Sequence, residues 1–177
     1  GWIALPENAA HDADTGRTVR IGVAVARATG AHPQPDPIVL LQGGPGLSIV
    51  ESTAAAAQSA FALAGQARDL VVIDQRGTGL SEPRLDCPEV VAFERAAVAL
   101  PTDDRPGFAD SVGACIDRLR RADIDLSTYT TSQSASDIVA VTRALGYPSI
   151  NLYGLSYGAR LGLTIVRDAG QDGYVRS

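Results

Sequence analysis

The chain has 177 residues, 45% of them apolar and 20% charged, with a formal net charge of −5. That composition fits one globular domain or a large piece of one and excludes disordered and collagen-like chains. Acids and bases are interspersed, which argues against a nucleic-acid partner, and the longest apolar runs, such as Pro37–Leu41 and Leu70–Ile73, are far too short to span a membrane. There is no Met, so a processed, trimmed or internal segment is expected, with any signal peptide already gone. All fifteen basic residues are Arg, a bias that points to a GC-rich bacterial genome.

In chain order, Trp2–Pro6 and Thr18–Ala26 read as a hairpin around a polar turn at His11–Gly16. In the second strand Val19, Ile21, Val23 and Val25 alternate with Arg20, Gly22 and Ala24. After a Pro-rich loop, Pro37–Leu41 is a continuous apolar run, as expected of a strand covered on both faces. Ser48–Leu63 is Ala-rich and helix-competent. Asp69–Asp74 is the next buried strand. Helices are expected near Val90–Leu100 and Phe108–Ala122, and Ser132 or Ser134 is expected to cap another that runs to Leu145 and stops at Gly146-Tyr147-Pro148. Ser149–Tyr153 is a third buried strand, and Tyr157–Asp168 a helix that follows with almost no loop. Strands alternating with helices predict an α/β fold with a mostly parallel sheet, helices on both faces, and ligands at the carboxyl ends of the strands.

Three unusual loops lie at those ends. Gly154-Leu155-Ser156-Tyr157-Gly158 falls between a strand and a helix. Glycine two residues either side leaves room for a sharp turn that lifts the Ser156 hydroxyl above the sheet and aims a helix N-terminus at it. Gly43-Gly44-Pro45-Gly46 can supply backbone N–H groups to a tetrahedral oxyanion: Gly44, or alternatively Gly43, together with Tyr157. A phosphate-binding loop is excluded, because there is no Gly-x-x-x-x-Gly-Lys and no Lys anywhere. In Asp74-Gln75-Arg76-Gly77-Thr78-Gly79-Leu80-Ser81, Asp74 and Arg76 are expected to satisfy one another or nearby backbone and to support the oxyanion loop. Cys87 and Cys115 are the only cysteines, and by themselves allow either a disulfide or two separate buried thiols. No Cys-x-x-Cys or Cys/His cluster is present, so neither metal nor cofactor is expected.

These three motifs, in this order and spacing, resemble the proline iminopeptidase and tripeptidyl aminopeptidase group of α/β-hydrolases. Asp137 and Leu145-Gly146-Tyr147 fit the same pattern, and the resemblance runs from about Gly1 to the end. Cys87-Pro88-Glu89 and Ala114-Cys115 resemble the exported, tripeptidyl-aminopeptidase-like branch, which implies that the two cysteines are bridged and that the protein is extracellular or in the cell envelope. Gln42 departs from the intracellular iminopeptidases, which usually carry His before the glycines.

The resemblance implies a serine hydrolase that forms an acyl-enzyme on Ser156 and acts on peptide N-termini. Carboxylesterase chemistry is the alternative, and a non-catalytic binding module the alternative of another class. A triad of this type runs Ser, then Asp or Glu, then His. Here His11 and His32 both precede Ser156, and after it only Asp168 and Asp172 are acidic. Residues 1–177 are therefore expected to be the N-terminal part of one hydrolase domain, partnered by a C-terminal segment that supplies the acid, the histidine and a cap. Val175-Arg176-Ser177 is expected to lead into a further strand.

Overall fold

The computed structural model describes residues 1–8, 16–51, 64–98 and 107–176. His11 and most of the expected Ser48–Leu63 helix lie outside the described residues. The chain divides into two compact units, residues 1–84 with 128–177, and residues 85–127.

The first unit carries strands β1 (Trp2–Pro6), β2 (Thr18–Ala26), β3 (Ile38–Leu41), β4 (Leu70–Ile73) and β5 (Asn151–Gly154). Their order in the sheet is β1-β2-β4-β3-β5. β2 is antiparallel to both β1 and β4, while β3 is parallel to β4 and β5. Only β2 therefore runs against the other four. A bridge from Val175 to Ile150, parallel in sense, lies beyond β5, where the sequence predicts a further strand.

Period-2 alternation decides which side chains meet. Val19, Ile21 and Val23 of β2, Val39 and Leu41 of β3, and Val71 and Ile73 of β4 share one buried cluster. Helices α4 (Thr131–Ala144) and α5 (Tyr157–Ala169) cover it with Ala135, Ile138 and Val141 from the first and Leu161 and Ile165 from the second. On the opposite face Leu40 and Val72 pack with Ile49. Burying each Val, Leu or Ile side chain in this way contributes about 1.5–3 kcal/mol. A short helix α1 (Ala64–Ala67) precedes β4.

α4 begins earlier than expected. Thr130, in extended backbone, accepts a hydrogen bond from the Gln133 N–H at 3.2 Å through its hydroxyl. Ser132 and Ser134 therefore fall inside the helix rather than capping it. The end is as read: α4 stops at Leu145, and Gly146 takes φ +86°, the left-handed position that favours glycine.

Of the two expected alternatives for Asp74 and Arg76, pairing with one another does not form, and both bond to backbone. Arg76, 4% exposed, instead forks onto both carboxylate oxygens of Asp137 in α4 at 2.7 and 2.8 Å. It also donates to the carbonyl oxygens of Glu7 and Thr128 and lies over the Tyr129 ring. A planar guanidinium can meet so many acceptors because its five donors diverge. Burial pushes the Asp137 carboxyl up, against the hydrogen bonds and charge of Arg76 that pull it down. One residue thus ties the β1–β2 hairpin, the β4 loop and α4 together.

The second unit contains α2 (Pro88–Ala97) and α3 (Phe108–Arg121). Cys87, which precedes α2, is bonded to Cys115 of α3 with 5.3 Å between their Cα atoms, so the bridge that the resemblance implies is present. Arg118 pairs with Glu89 at 2.6 Å, and the Phe93 and Phe108 rings meet edge to face.

Removing one partner of the buried ion pair should cost far more than removing both. Arg76→Met is expected to destabilise the protein by about 3–5 kcal/mol by stranding Asp137, and the double variant Arg76→Met/Asp137→Leu by less. Urea unfolding of the three proteins checks this.

Candidate active site

The parallel run of β3, β4 and β5 brings their following loops to one edge of the sheet, and all three sequence motifs lie there. The opposite edge is closed by polar contacts. Asp69 accepts from the Ala28 N–H, Arg27 and the Tyr147 hydroxyl, and those hydrogen bonds hold its carboxyl below the ordinary range although burial pushes the other way. Asp36 accepts from Arg68 and from the Asn151 amide. His32 is exposed in the loop on that opposite edge, between β2 and β3, a strand length away from the motifs.

Ser156 stands between β5 and α5 with φ 53° and ψ −119°. A non-glycine residue there costs on the order of 1–3 kcal/mol and persists only where its surroundings impose it. The surroundings are visible. A Cβ at Gly158 would lie 2.0 Å from the Leu41 carbonyl oxygen, and one at Gly154 would lie 2.5 Å from the Gly158 oxygen. Both contacts are with backbone, so no side chain can yield to relieve them. The turn is completed by hydrogen bonds from the Leu155 N–H to Leu41 O at 3.1 Å, from Gly158 N–H to Leu155 O at 2.7 Å and from Ala159 N–H to Ser156 O at 3.0 Å. Ser156 itself is exposed, and its hydroxyl makes no cap bond to the helix it precedes. Tyr157 is the first residue of α5, so its N–H is one of the donors that a helix leaves without an internal partner. Its phenol is 2.8 Å from the Thr131 hydroxyl at the start of α4.

The loop after β3 comes up against this turn. Gly43 is buried so close to it that a Cβ would be 3.2 Å from the Ser156 Cβ and 3.7 Å from its Oγ. Gly44 takes φ +111°, a conformation open to glycine. Beyond Gly46 the chain enters a helix, and here Asp74 acts. Its carboxylate, fully buried, accepts from the Ser48 hydroxyl at 3.1 Å, the Ile49 N–H at 2.7 Å, the Val50 N–H at 3.1 Å and the Leu80 N–H at 2.8 Å. A carboxylate at a helix start satisfies otherwise orphaned donors and suits the positive end of the dipole. A Cβ at Gly79 would sit 2.1 Å from the Asp74 Oδ2, so glycine is required for Leu80 to reach it.

One member of this arrangement, Ser48, has no assigned role in the sequence reading. Ser48 also accepts from the Glu51 N–H at 3.2 Å. Ser48-Ile49-Val50-Glu51 is the Ser-x-x-Glu signature of a helix start, so a signal was there to read. Gln42, the departure from the intracellular iminopeptidase pattern, accepts from the Gly43 N–H at 3.2 Å through its side-chain oxygen. Asp168 pairs with Arg167, and Asp172 with Arg143 at 2.8 Å. Among the described residues no group of His, Cys, Asp and Glu is arranged to hold a metal ion, and no helix is long and apolar enough to cross a membrane.

A five-stranded mixed sheet with Ser156 on a strained strand-to-helix turn is an α/β hydrolase arrangement, and the chain belongs to that family. The profile of the alpha/beta hydrolase fold family matches residues 36–177. The serine protease Hip1 of Mycobacterium tuberculosis is similar, at 30% identity over 133 residues, covering 71% of this chain and 25% of that protein. The tripeptidyl aminopeptidase of Streptomyces coelicolor is 27% identical over 173 residues, covering 92% of this chain and 31% of that one. In fold, the chain matches the crystal structure of proline iminopeptidase from Mycobacterium smegmatis with a TM-score of 0.57 at 21% identity, covering 99% of this chain and 41% of that one. It therefore spans about a quarter to a third of the length of these curated relatives.

The strain at Ser156 is open to measurement. Ser156→Gly is expected to be more stable than Ser156→Ala by about 1 kcal/mol, because glycine relieves the positive φ and alanine does not. Equal melting temperatures for the two variants would contradict the strain.

Proposed function

We propose that this chain is the nucleophile-bearing, N-terminal part of one serine hydrolase domain, and that its substrates are peptides cleaved from the N-terminus. The observation that carries the reading is the exposed Ser156 hydroxyl on a strained turn pressed against Gly43. The Ser156 Oγ attacks the substrate carbonyl carbon, and the N–H groups of Tyr157 and Gly44 hold the oxyanion. Collapse expels the amine and leaves an ester on Ser156, which water then hydrolyses. Asp74 keeps the oxyanion loop in place through Ser48, Ile49 and Val50, while Arg76 secures the β4 loop behind it; Gly154 and Gly158 give the turn its room.

A serine hydroxyl needs a base to take its proton. His32 lies on the wrong edge of the sheet, and Asp168 and Asp172 are engaged with arginines. Both histidines of this chain precede Ser156, against the Ser, acid, His order of such triads, so the reading assigns the base and its acid to a segment C-terminal to Ser177; the parallel bridge of Val175 to Ile150 beyond β5 supports it. Peptides are favoured over simple esters because the similar proteins are named serine protease and tripeptidyl aminopeptidase. The Cys87–Cys115 bridge supports a location outside the reducing cytosol.

Labelling with a fluorophosphonate tests the proposal. Ser156 should be modified when the downstream segment is present, and no labelling under any condition would favour a non-catalytic binding module. With the unlabelled protein joined to that segment, tripeptidyl amides should be hydrolysed in preference to short acyl esters. The reverse order would make the enzyme an esterase.

A further inference from the structure

Gln42 is held between the two halves of the candidate site. Its backbone carbonyl oxygen would lie 3.0 Å from a Cβ at Gly158, so the first turn of α5 presses on it. Its side-chain oxygen folds forward to accept the Gly43 N–H at 3.2 Å. Gly43 is the loop residue packed against Ser156, and with its N–H committed to Gln42 it is withdrawn from the oxyanion hole.

We propose that Gln42 is a positioning residue for the oxyanion hole: its carboxamide holds the Gly43 N–H, so that the loop offers Gly44, together with Tyr157, to the developing oxygen anion. Two properties suit it to this. It is an acceptor long enough to reach the next residue's N–H, and it is neutral at every pH. A glutamate could make the same hydrogen bond, but once ionised it would set a negative charge beside the position where a second negative charge must form. Like charges at short range in a partly buried site repel strongly. The inference rests on Ser156 being the nucleophile.

The experiment uses the full-length protein, with this chain joined to its downstream segment. Gln42→Glu and Gln42→Ala are compared with the parent for fluorophosphonate labelling of Ser156, and for kcat and KM on one peptide amide from about pH 4.5 to 8.5. Gln42→Glu is expected to change KM little and to lower kcat at least about tenfold at pH 7. Its kcat relative to the parent should recover as pH falls through the carboxyl range, since protonation removes the opposing charge. Gln42→Ala is expected to lower kcat by a factor that does not vary with pH. A parent-like kcat in either variant overturns the proposal, as does a fall in Gln42→Glu that is the same at every pH. Should Gln42→Glu fail to fold, the alanine variant decides alone, a kcat loss at unchanged KM supporting the proposal and any other result overturning it. If the parent is not labelled at Ser156, the nucleophile reading fails; a labelled parent with indifferent Gln42 variants refutes the role of Gln42 alone.

Discussion

The architecture of the site depends on how closely α5 approaches the end of β3. The Gly158 backbone lies against the Leu41 carbonyl with no space for a Cβ, and everything else at this edge follows from that distance. It forces the chain from β5 into α5 without a loop, which imposes the positive φ on Ser156. It also sets Gly43, two residues beyond Leu41, against the serine side chain. A methyl group at position 158 would push the helix off the strand and separate the serine from the loop. The site is in this sense a packing problem solved by two glycines, and its geometry is no more adjustable than the core beneath it.

Two buried carboxylates handle the polar cost of gathering three loops at one edge, and they do so differently. Asp74 is held by four hydrogen-bond donors, most of them backbone, and it serves the helix start after the glycine-rich loop that follows β3. Asp137 is paired with Arg76, which spreads its remaining donors over carbonyl oxygens of two other segments. The first arrangement stabilises a helix end, the second joins elements distant in sequence. Both leave the charge beneath the candidate site balanced by hydrogen bonds.

The opposite edge of the sheet shows the same economy without any chemistry. Asp36 and Asp69 tie the starts of β3, β4 and β5 to Arg68, Asn151, Ala28 and Tyr147. The polarity of a parallel sheet thus separates stability from function: strand starts are closed by ion pairs, and strand ends are left to the glycine-rich loops. His32 falls on the closed edge, which is why a histidine present in the sequence plays no part in the proposed chemistry.

Strand and helix positions could be read from the sequence because they rest on local periodicity. The alternation of Val19, Ile21, Val23 and Val25 marks β2 to the residue, and the Gly-x-Ser-x-Gly spacing marks the turn at Ser156, since only glycine tolerates backbone contact at those two positions. Cap identity was less accessible: Thr130, Ser132 and Ser134 are all chemically able to cap α4, and the choice depends on where the preceding turn ends. Partner choice was accessible only in part. Asp74 and Arg76 are two residues apart, yet Asp74 bonds to the nearby Leu80 N–H and to a segment 24 to 26 positions back, while Arg76 reaches Asp137, 61 positions on. By itself the sequence determined the fold class, the sharp turn at Ser156 and the glycines around it, because these follow from spacing and from the steric demands of a Cβ. Only the tertiary structure decided which charges pair, because those bonds depend on distances between segments that no local pattern encodes.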